Sequence, residues 1–489
     1  MRILFLSSEA VPFIKTGGLA DVAGALPRTL HQMGHDVRLV IPRYGDMDSR
    51  FRLLPLMPEI KVRWGDEYLT GSVLRCDFPG SRMPVYFIDE PSFSWRKGIY
   101  GNGKADFADN DRRFAFFCMA ALWFIKGLDW QPDVIHSNDW TTGLAPALLK
   151  HHVEIAKDPF FQNIRSVFAI HNMAYQGNVD KFVLPQIGLP WEVFTQDGLE
   201  FYGKASYLKA GISYADAVVT VSPTYAREIQ TEEMGAGMHG TLAHRAEDLH
   251  GILNGIDPTE WNPEADPALA SCYTLKNLAA KGRCKADLQA FCGFPVDPSI
   301  PLIGMASRLV ANKGFKLILD ALDQLLELPA QYVILGTGEE EYEKAFAEAA
   351  EANPTRIHLR RAYDIPFSHR LIAGSDMFLM PSLFEPCGLT QLYSMRYGTV
   401  PIVRRTGGLA DSVTAVSPAT LADGSAKGIV FDEATPEALV AAVRAALAVY
   451  TNQPGDWQKL IANGMTHDWS WAASAAEYVA LYEKLAKRA

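Results

Sequence analysis

The residues best suited to chemistry lie in Phe384-Glu385-Pro386-Cys387-Gly388-Leu389-Thr390-Gln391. The stretch follows an apolar run, Asp376 to Pro381, that predicts a buried strand, and precedes a helix-like segment from Leu392 to Tyr397. A carboxylate at a strand-to-helix crossing, followed by a glycine, suits a polyhydroxylated ligand. Glu385 can accept hydroxyl hydrogen bonds while the free N–H groups of the helix face an anionic part. Cys387 has no sequence neighbour that marks it as a nucleophile and reads as a packing thiol.

Anion-binding candidates lie elsewhere in the chain. Arg308 and Lys313, five residues apart in Ser307-Arg308-Leu309-Val310-Ala311-Asn312-Lys313-Gly314, follow a strand and precede a helix beginning near Phe315. An arginine can fork two oxygens while a lysine acts as a point charge, which suits a diphosphate; a solvated loop is the alternative. Lys15 with Gly17 and Gly18 could hold a phosphate, because glycines let the backbone approach it. An ordinary turn with a surface lysine is also open, and no Gly-Lys-Ser/Thr follows to make a Walker loop. Gly336-Thr337-Gly338 is a weaker candidate for close backbone approach.

Two polar groups end apolar runs in the first half. Asp139, in His136-Ser137-Asn138-Asp139-Trp140, could bind sugar hydroxyls, act as an acid or base, or cap a helix near Thr142. His171, in Ile170-His171-Asn172, is the histidine best placed for polar work, with a satisfied structural role as the alternative.

The elements that must position these residues read as strand and helix in alternation. Arg2 to Ser7, Val37 to Ile41, Val85 to Ile88, Val134 to Ser137, Ser166 to Ile170 and Ala217 to Val221 are short apolar strands. Ala20 to Met33, Phe114 to Ile125 and Gly143 to Leu149 have helical spacing. Strands that are apolar throughout fit a parallel sheet covered on both faces. Residues 44–111, rich in Pro, Gly and aromatics, suggest inserted hairpins or loops. The alternation breaks at about 255–300 and resumes with Leu302 to Ala306, Tyr332 to Leu335, Ile357 to Arg360, Asp376 to Met380, Val400 to Val403 and Gly428 to Phe431. The expected class is α/β, with two doubly wound Rossmann-like domains facing across a cleft. The expected boundaries are 1–255, an interdomain crossing at 256–300, 301–465, and a helix at 466–489 packing back on the first domain. One near-repeat supports the pairing: Lys15-Thr16-Gly17-Gly18-Leu19-Ala20-Asp21 returns as Arg405-Thr406-Gly407-Gly408-Leu409-Ala410-Asp411.

Composition bounds the partners. Of 489 residues, 46 are Lys or Arg and 56 are Asp or Glu, a net charge of −10 without a basic patch, which argues against nucleic acid. No apolar run is long enough for a bilayer, the N-terminal one is too short for a signal peptide, and the six cysteines lack Cys-x-x-Cys spacing. A reduced, cytoplasmic protein without membrane partners is expected.

Taken together, Lys15-Thr16-Gly17-Gly18-Leu19, Asn138-Asp139-Trp140, His171-Asn172-Met173-Ala174-Tyr175-Gln176-Gly177, Asn254-Gly255-Ile256-Asp257 and Glu385-Pro386-Cys387-Gly388-Leu389 resemble glycosyltransferase family 5. That family holds the bacterial glycogen synthases and plant starch synthases. The resemblance spans nearly the whole chain, and the set of motifs is far more specific than any member. It implies the GT-B fold and retaining transfer of glucose from ADP-glucose to the non-reducing end of an α-1,4-glucan such as glycogen or a malto-oligosaccharide, with no bound metal or other cofactor. By position it implies catalytic roles for Glu385, His171, Asp139, Arg308 and Lys313. It also implies substrate contacts at Lys15, Gly17, Gly18, Asp21, Asn254, Tyr363 (stacking on adenine), Cys387, Gly388, Leu389 and Thr390. Leu383, Thr141 and Ala311-Asn312 depart from the family's usual Arg, His or Gln, and Trp-Gln type residues. Another retaining GT-B glucosyltransferase, or a non-catalytic glucan-binding protein, are the alternatives.

Overall fold

A computed structural model describes residues 1–47 and 49–487. The chain divides into two compact units, one formed by Met1–Ile252 with the stretch from Ser474 onward, the other by Leu253–Ala473.

The first unit holds twelve strands: β1 (Arg2–Leu6), β2 (Asp36–Pro42), β3 (Leu54–Trp64), β4 (Glu67–Asp77), β5 (Pro84–Asp89), β6 (Val134–Asn138), β7 (Arg165–Ile170), β8 (Asn178–Val179), β9 (Glu200–Phe201), β10 (Lys204–Ser206), β11 (Ala217–Thr220) and β12 (Leu249–Gly251). Nine of them make one sheet in the order β12-β11-β7-β6-β1-β2-β5-β4-β3, and β8-β10-β9 make a small antiparallel sheet. The central strands pair in parallel and are almost wholly buried, as runs such as Ile3-Leu4-Phe5-Leu6 require. Residues 44–111 supply the long antiparallel hairpin β3–β4, which pairs through β4 with β5. Helix Asn110–Gly127 is apolar nearly all round and correspondingly buried.

The second unit adds β13 (Leu302–Ala306), β14 (Gln331–Leu335), β15 (Ile357–Arg360), β16 (Met377–Met380), β17 (Val400–Arg404) and β18 (Ile429–Phe431). They form a fully parallel sheet in the order β15-β14-β13-β16-β17-β18.

Each sheet has one place where the direction of winding reverses. In the first unit the chain runs from β1 outward through β2, then returns to β6 on the other side of β1. In the second it runs from β13 through β14 to β15, then returns to β16. The loops leaving the two central strands therefore separate at their carboxyl ends and leave a crevice in which doubly wound sheets bind ligands.

The segment 256–300, expected as a crossing, is part of the second unit. Trp261 stacks between His369 at 3.9 Å and Tyr393 at 3.7 Å, and Tyr273 donates its hydroxyl to Tyr397 O at 2.7 Å. Buried Lys281 donates to Ala373 O and Thr399 Oγ1, both at 2.7 Å. These anchors are single side chains without periodicity, so the Pro- and Asp-rich composition around them resembles a linker. Residues 275–291 form a 3₁₀ turn, Leu275–Ala280, followed by helix Lys281–Phe291, with Asn277 kinked within the turn at φ −127° and ψ 44°. The last helix is Trp471–Ala486, and within the first unit Tyr482 shares a 2.6 Å hydrogen bond with His136 Nδ1. Positions 488 and 489 of the expected C-terminal segment lie outside the described residues. Among the described residues no helix is long and apolar enough to cross a membrane.

Candidate active site

In the first unit three loops leave the carboxyl ends of adjacent strands β1, β6 and β7. Asp139 directly follows β6 with φ 54° and ψ −178°, a backbone conformation that an L-residue rarely adopts. Its carboxyl does not cap the following turn; Oδ1 instead accepts the His171 N–H at 2.7 Å. The residue is half-buried, and its carboxyl is surrounded by protein. Burial pushes its pKa up to about 7, against the lowering effect of the His171 and Asn172 amides and with Glu9 adding in the upward direction.

His171 follows β7, and burial draws its pKa down to about 4, so the ring is neutral near pH 7. Its Nε2 lies 2.9 Å from Asn138 Oδ1, while the amide nitrogen of Asn138 donates to Leu6 O at 2.8 Å. That orients the Asn138 oxygen toward the ring, makes Nε2 the protonated nitrogen, and leaves the lone pair on Nδ1 to accept from a ligand hydroxyl. His136, two residues before Asn138, is stacked on Phe5 at 4.6 Å within the core.

The glycine turn after β1 differs from the expected phosphate loop. Its first two amides turn inward: Thr16 N–H, Thr16 Oγ1 (3.0 Å) and Gly17 N–H (3.2 Å) all donate to Glu9 Oε2. Tyr100 donates its hydroxyl to the other oxygen of Glu9 at 3.2 Å. The Gly18 amide, first of helix Gly18–Gln32, has no intrahelical partner and can face a ligand. Lys15 Nζ contacts both oxygens of Asp21 at 2.6 and 2.8 Å, an exposed pair that contributes little to stability and can exchange for another anion. Asp21, expected as a substrate contact, is the partner of Lys15.

In the second unit the loops after β13 and β16 flank the winding reversal. Lys313 Nζ donates to Glu385 Oε1 at 2.8 Å and Oε2 at 2.6 Å, and Ser382 Oγ donates to Oε2 at 3.0 Å. Glu385 is 6% exposed. Leu383 N donates to Asn312 O at 2.9 Å, so the two loops are also tied through their backbones. Arg404 holds the same loop from the other side, donating to Ser382 O at 2.9 Å and Leu383 O at 2.7 Å. Gln391 folds the stretch after Glu385, with its amide nitrogen on Cys387 O, Gly388 O and Ser412 Oγ at 3.0–3.1 Å. Gly388 takes φ 70°, Leu389 precedes helix Thr390–Arg396, and buried Cys387 has its thiol pushed up to about 12, which makes it an inert packing group. Asn254, buried, approaches that thiol through its backbone, and its Oδ1 has no hydrogen-bond partner among the described residues. Arg308 and Tyr363 are exposed on the loops after β13 and β15. The Gly336-Thr337-Gly338 loop makes its close approach to its own neighbour, since a Cβ on Gly336 or Gly338 would meet Ser307 O at 1.9 Å or Leu309 O at 2.1 Å.

The two glycine pairs are alike in sequence but not in tolerance. A Cβ on Gly408 would lie 2.0 Å from Cys387 O, and one on Gly407 2.1 Å from Glu385 O, because this turn seats the Glu385 loop. A Cβ on Gly18 meets nothing within 4 Å. Gly408→Ala is therefore expected to destabilise by about 1–3 kcal/mol, a fall of several degrees in unfolding midpoint, and to disturb Glu385. Gly18→Ala should leave the midpoint unchanged or slightly raised; thermal unfolding by circular dichroism compares the two. Equal losses would refute the distinction.

Sequence reasoning did not find Glu9, Ser382 or Arg404, and it gave Gln391 and Asn138, quoted within their motifs, no role of their own. A carboxylate shortly before a glycine pair was the one visible signal for Glu9. The others act through contacts that no spacing encodes.

Two α/β units, each with parallel central strands and with cationic and acidic groups at the winding reversal of its sheet, match the architecture of GT-B glycosyltransferases. Residues 2–244 match the family described as starch synthase catalytic domain, and residues 295–460 match glycosyl transferases group 1. The chain is 49% identical to the glycogen synthase of Anaeromyxobacter dehalogenans over 99% of its own length and 100% of the relative's. It is 45% identical to glycogen synthase 1 of Methylococcus capsulatus, covering 99% and 96%. The solved catalytic domain of starch synthase IV from Arabidopsis thaliana, bound to ADP and acarbose, superposes with a TM-score of 0.89 at 33% identity, covering 99% of both chains. Sucrose-phosphate synthase of Thermosynechococcus elongatus shares the fold at a TM-score of 0.61 and 16% identity. The chain belongs to the glycogen synthase family of glucosyltransferases.

Proposed function

We propose that the protein transfers glucose from ADP-glucose to the non-reducing end of an α-1,4-glucan, glycogen or a malto-oligosaccharide, with retention and release of ADP. The pathway is glycogen biosynthesis and the compartment the cytoplasm. The observation that carries this reading is the buried Glu385 carboxylate gripped by Lys313 at the winding reversal of the second sheet. The Arabidopsis relative, solved with ADP, supports a nucleoside diphosphate product.

Arg308 and Lys313 receive the diphosphate and stabilise the charge that develops as the bond from glucose C1 to the phosphate oxygen breaks. Cationic side chains take the place of a metal in this role. Thr390 and Lys15 add phosphate contacts, and Tyr363 stacks on adenine. Glu385 binds the glucosyl hydroxyls near the developing positive centre, while His171 Nδ1, Asp139 and Asn254 accept or donate to other hydroxyls. The acceptor hydroxyl attacks C1 from the face the diphosphate leaves, and its proton passes to the departing phosphate oxygen. Configuration is thereby retained without a covalent glucosyl-enzyme.

Incubation with ADP-[14C]glucose or UDP-[14C]glucose, with and without glycogen, tests the proposal. Label should enter glycogen from ADP-glucose at the higher rate and only when glycogen is present. Incorporation from UDP-glucose alone would make the protein a different retaining glucosyltransferase, and glucan binding without ADP release would make it a non-catalytic binder.

A further inference from the structure

Glu9 has a geometry that the proposed chemistry does not use. It lies in the loop after β1, is 2% exposed, and receives four hydrogen bonds, from Thr16 N–H, Thr16 Oγ1, Gly17 N–H and the Tyr100 hydroxyl. A carboxylate is acceptor-only, so four donors match its capacity, and they oppose, without cancelling, the desolvation that raises its pKa. Tyr100 is held in turn by Ser8, 2.9 Å from its hydroxyl. One side chain thus ties together the loop after β1, the glycine turn and the segment around Tyr100.

The second glycine pair is seated differently. There Gly408 N–H donates to the backbone carbonyls of Glu385 and Pro386, both at 3.1 Å. The two turns solve one problem, fixing a flexible glycine pair, with a backbone acceptor in one unit and a side-chain acceptor in the other. The Gly18 position shows that the first turn is not fixed by crowding, since the space beside it is open. Its conformation depends on hydrogen bonds, and those of the Thr16 and Gly17 amides converge on Glu9.

We propose that Glu9 is a positioning residue for glucosyl transfer: it draws the Thr16 and Gly17 amides inward so that Lys15 and the Gly18 amide face the donor diphosphate. This rests on the proposed function. Without the carboxylate the turn samples other conformations, and ordering it is added to the cost of binding the donor. A role confined to the donor diphosphate predicts that binding of the acceptor glucan is independent of Glu9.

The test measures the KM for ADP-glucose, the KM for glycogen and kcat in Glu9→Ala, Glu9→Gln and Thr16→Val, with thermal unfolding alongside. Glutamine keeps an oxygen for the Thr16 and Gly17 amides and turns its NH₂ toward the Tyr100 oxygen, which can accept. The expected result is a donor KM raised at least about tenfold in Glu9→Ala and about threefold in Thr16→Val. It should return to within about threefold of wild type in Glu9→Gln, with the glycogen KM within about twofold throughout. A donor KM unchanged in both Glu9→Ala and Thr16→Val overturns the inference, as does equal loss toward donor and acceptor. If Glu9→Ala does not fold, Thr16→Val decides alone. A wild type inactive with ADP-glucose overturns the proposed function itself; an active wild type with insensitive variants overturns only the role of Glu9.

Discussion

Lys313→Ala is expected to lower the rate of transfer from ADP-glucose by ~10³-fold or more, the largest effect of any single substitution proposed for this chain. Removing one preorganised donor from a developing charge costs about 10²–10³ in rate. Lys313 carries a second load, because its ammonium is bonded to both oxygens of Glu385 at 2.8 and 2.6 Å. Losing it leaves a buried carboxylate with Ser382 as its one remaining hydrogen-bond donor among the described residues, and breaking such a pair typically costs about 3–5 kcal/mol of stability. Lys313 is itself partly exposed, so the lower end of that range is the better expectation. The two consequences can be separated. In the double variant Lys313→Ala, Glu385→Gln the stranded charge is gone, so the unfolding midpoint should recover much of the loss while activity stays at the floor. Near-normal activity in both Lys313→Ala and Glu385→Ala would defeat the assignment of this pair to the reaction.

The second large effect belongs to Asp139→Asn, and it depends on pH. The carboxyl's pKa is raised from the ordinary aspartate value to about 7. The folded protein therefore holds a proton there that the unfolded chain releases. The associated stability is fully present below the unfolded value near 4 and is lost as pH rises through 7. Asparagine, which does not titrate, avoids this loss and keeps an oxygen for the His171 amide. Asp139→Asn should thus gain stability relative to wild type on going from pH 5 to pH 8, by about 1–3 kcal/mol given the carboxyl's residual exposure. Activity should move the other way. If the ionised carboxylate faces the positive charge that develops on the glucosyl group, kcat in the wild type rises through pH 7. The Asn variant would show a flat profile in that range and a rate about 10²-fold lower. A wild-type profile flat from pH 6 to pH 8 would refute the role of Asp139, and identical unfolding midpoints at both pH values would refute the raised pKa.

Much of the framework was legible because its signals are local. Apolar runs of four to seven residues identified the parallel strands, and helical spacing identified what lies between them. The residues that end those strands, Asp139, His171, Arg308 and Glu385, were readable as candidates because doubly wound sheets place ligands at strand carboxyl ends. The segment 256–300 is held in the second unit by aromatic stacking of Trp261 and the buried amine of Lys281, contacts that leave no periodic trace in the sequence.

The sequence by itself determined the α/β class, the two alternating halves, and which polar residues stand at strand ends. Chain order, hydrophobic period and residue type are sufficient for those, since each depends on neighbours within a few positions. Tertiary structure alone decided the pairings. It set Lys313 on Glu385 across 72 residues of chain, and turned the amides of the first glycine pair onto Glu9 rather than outward. It also gave His171 its tautomer through Asn138, and Asp139 its raised pKa through burial. Hydrogen bonds and desolvation depend on which atoms share a volume, and that volume exists only once the strands have taken their order in the sheet.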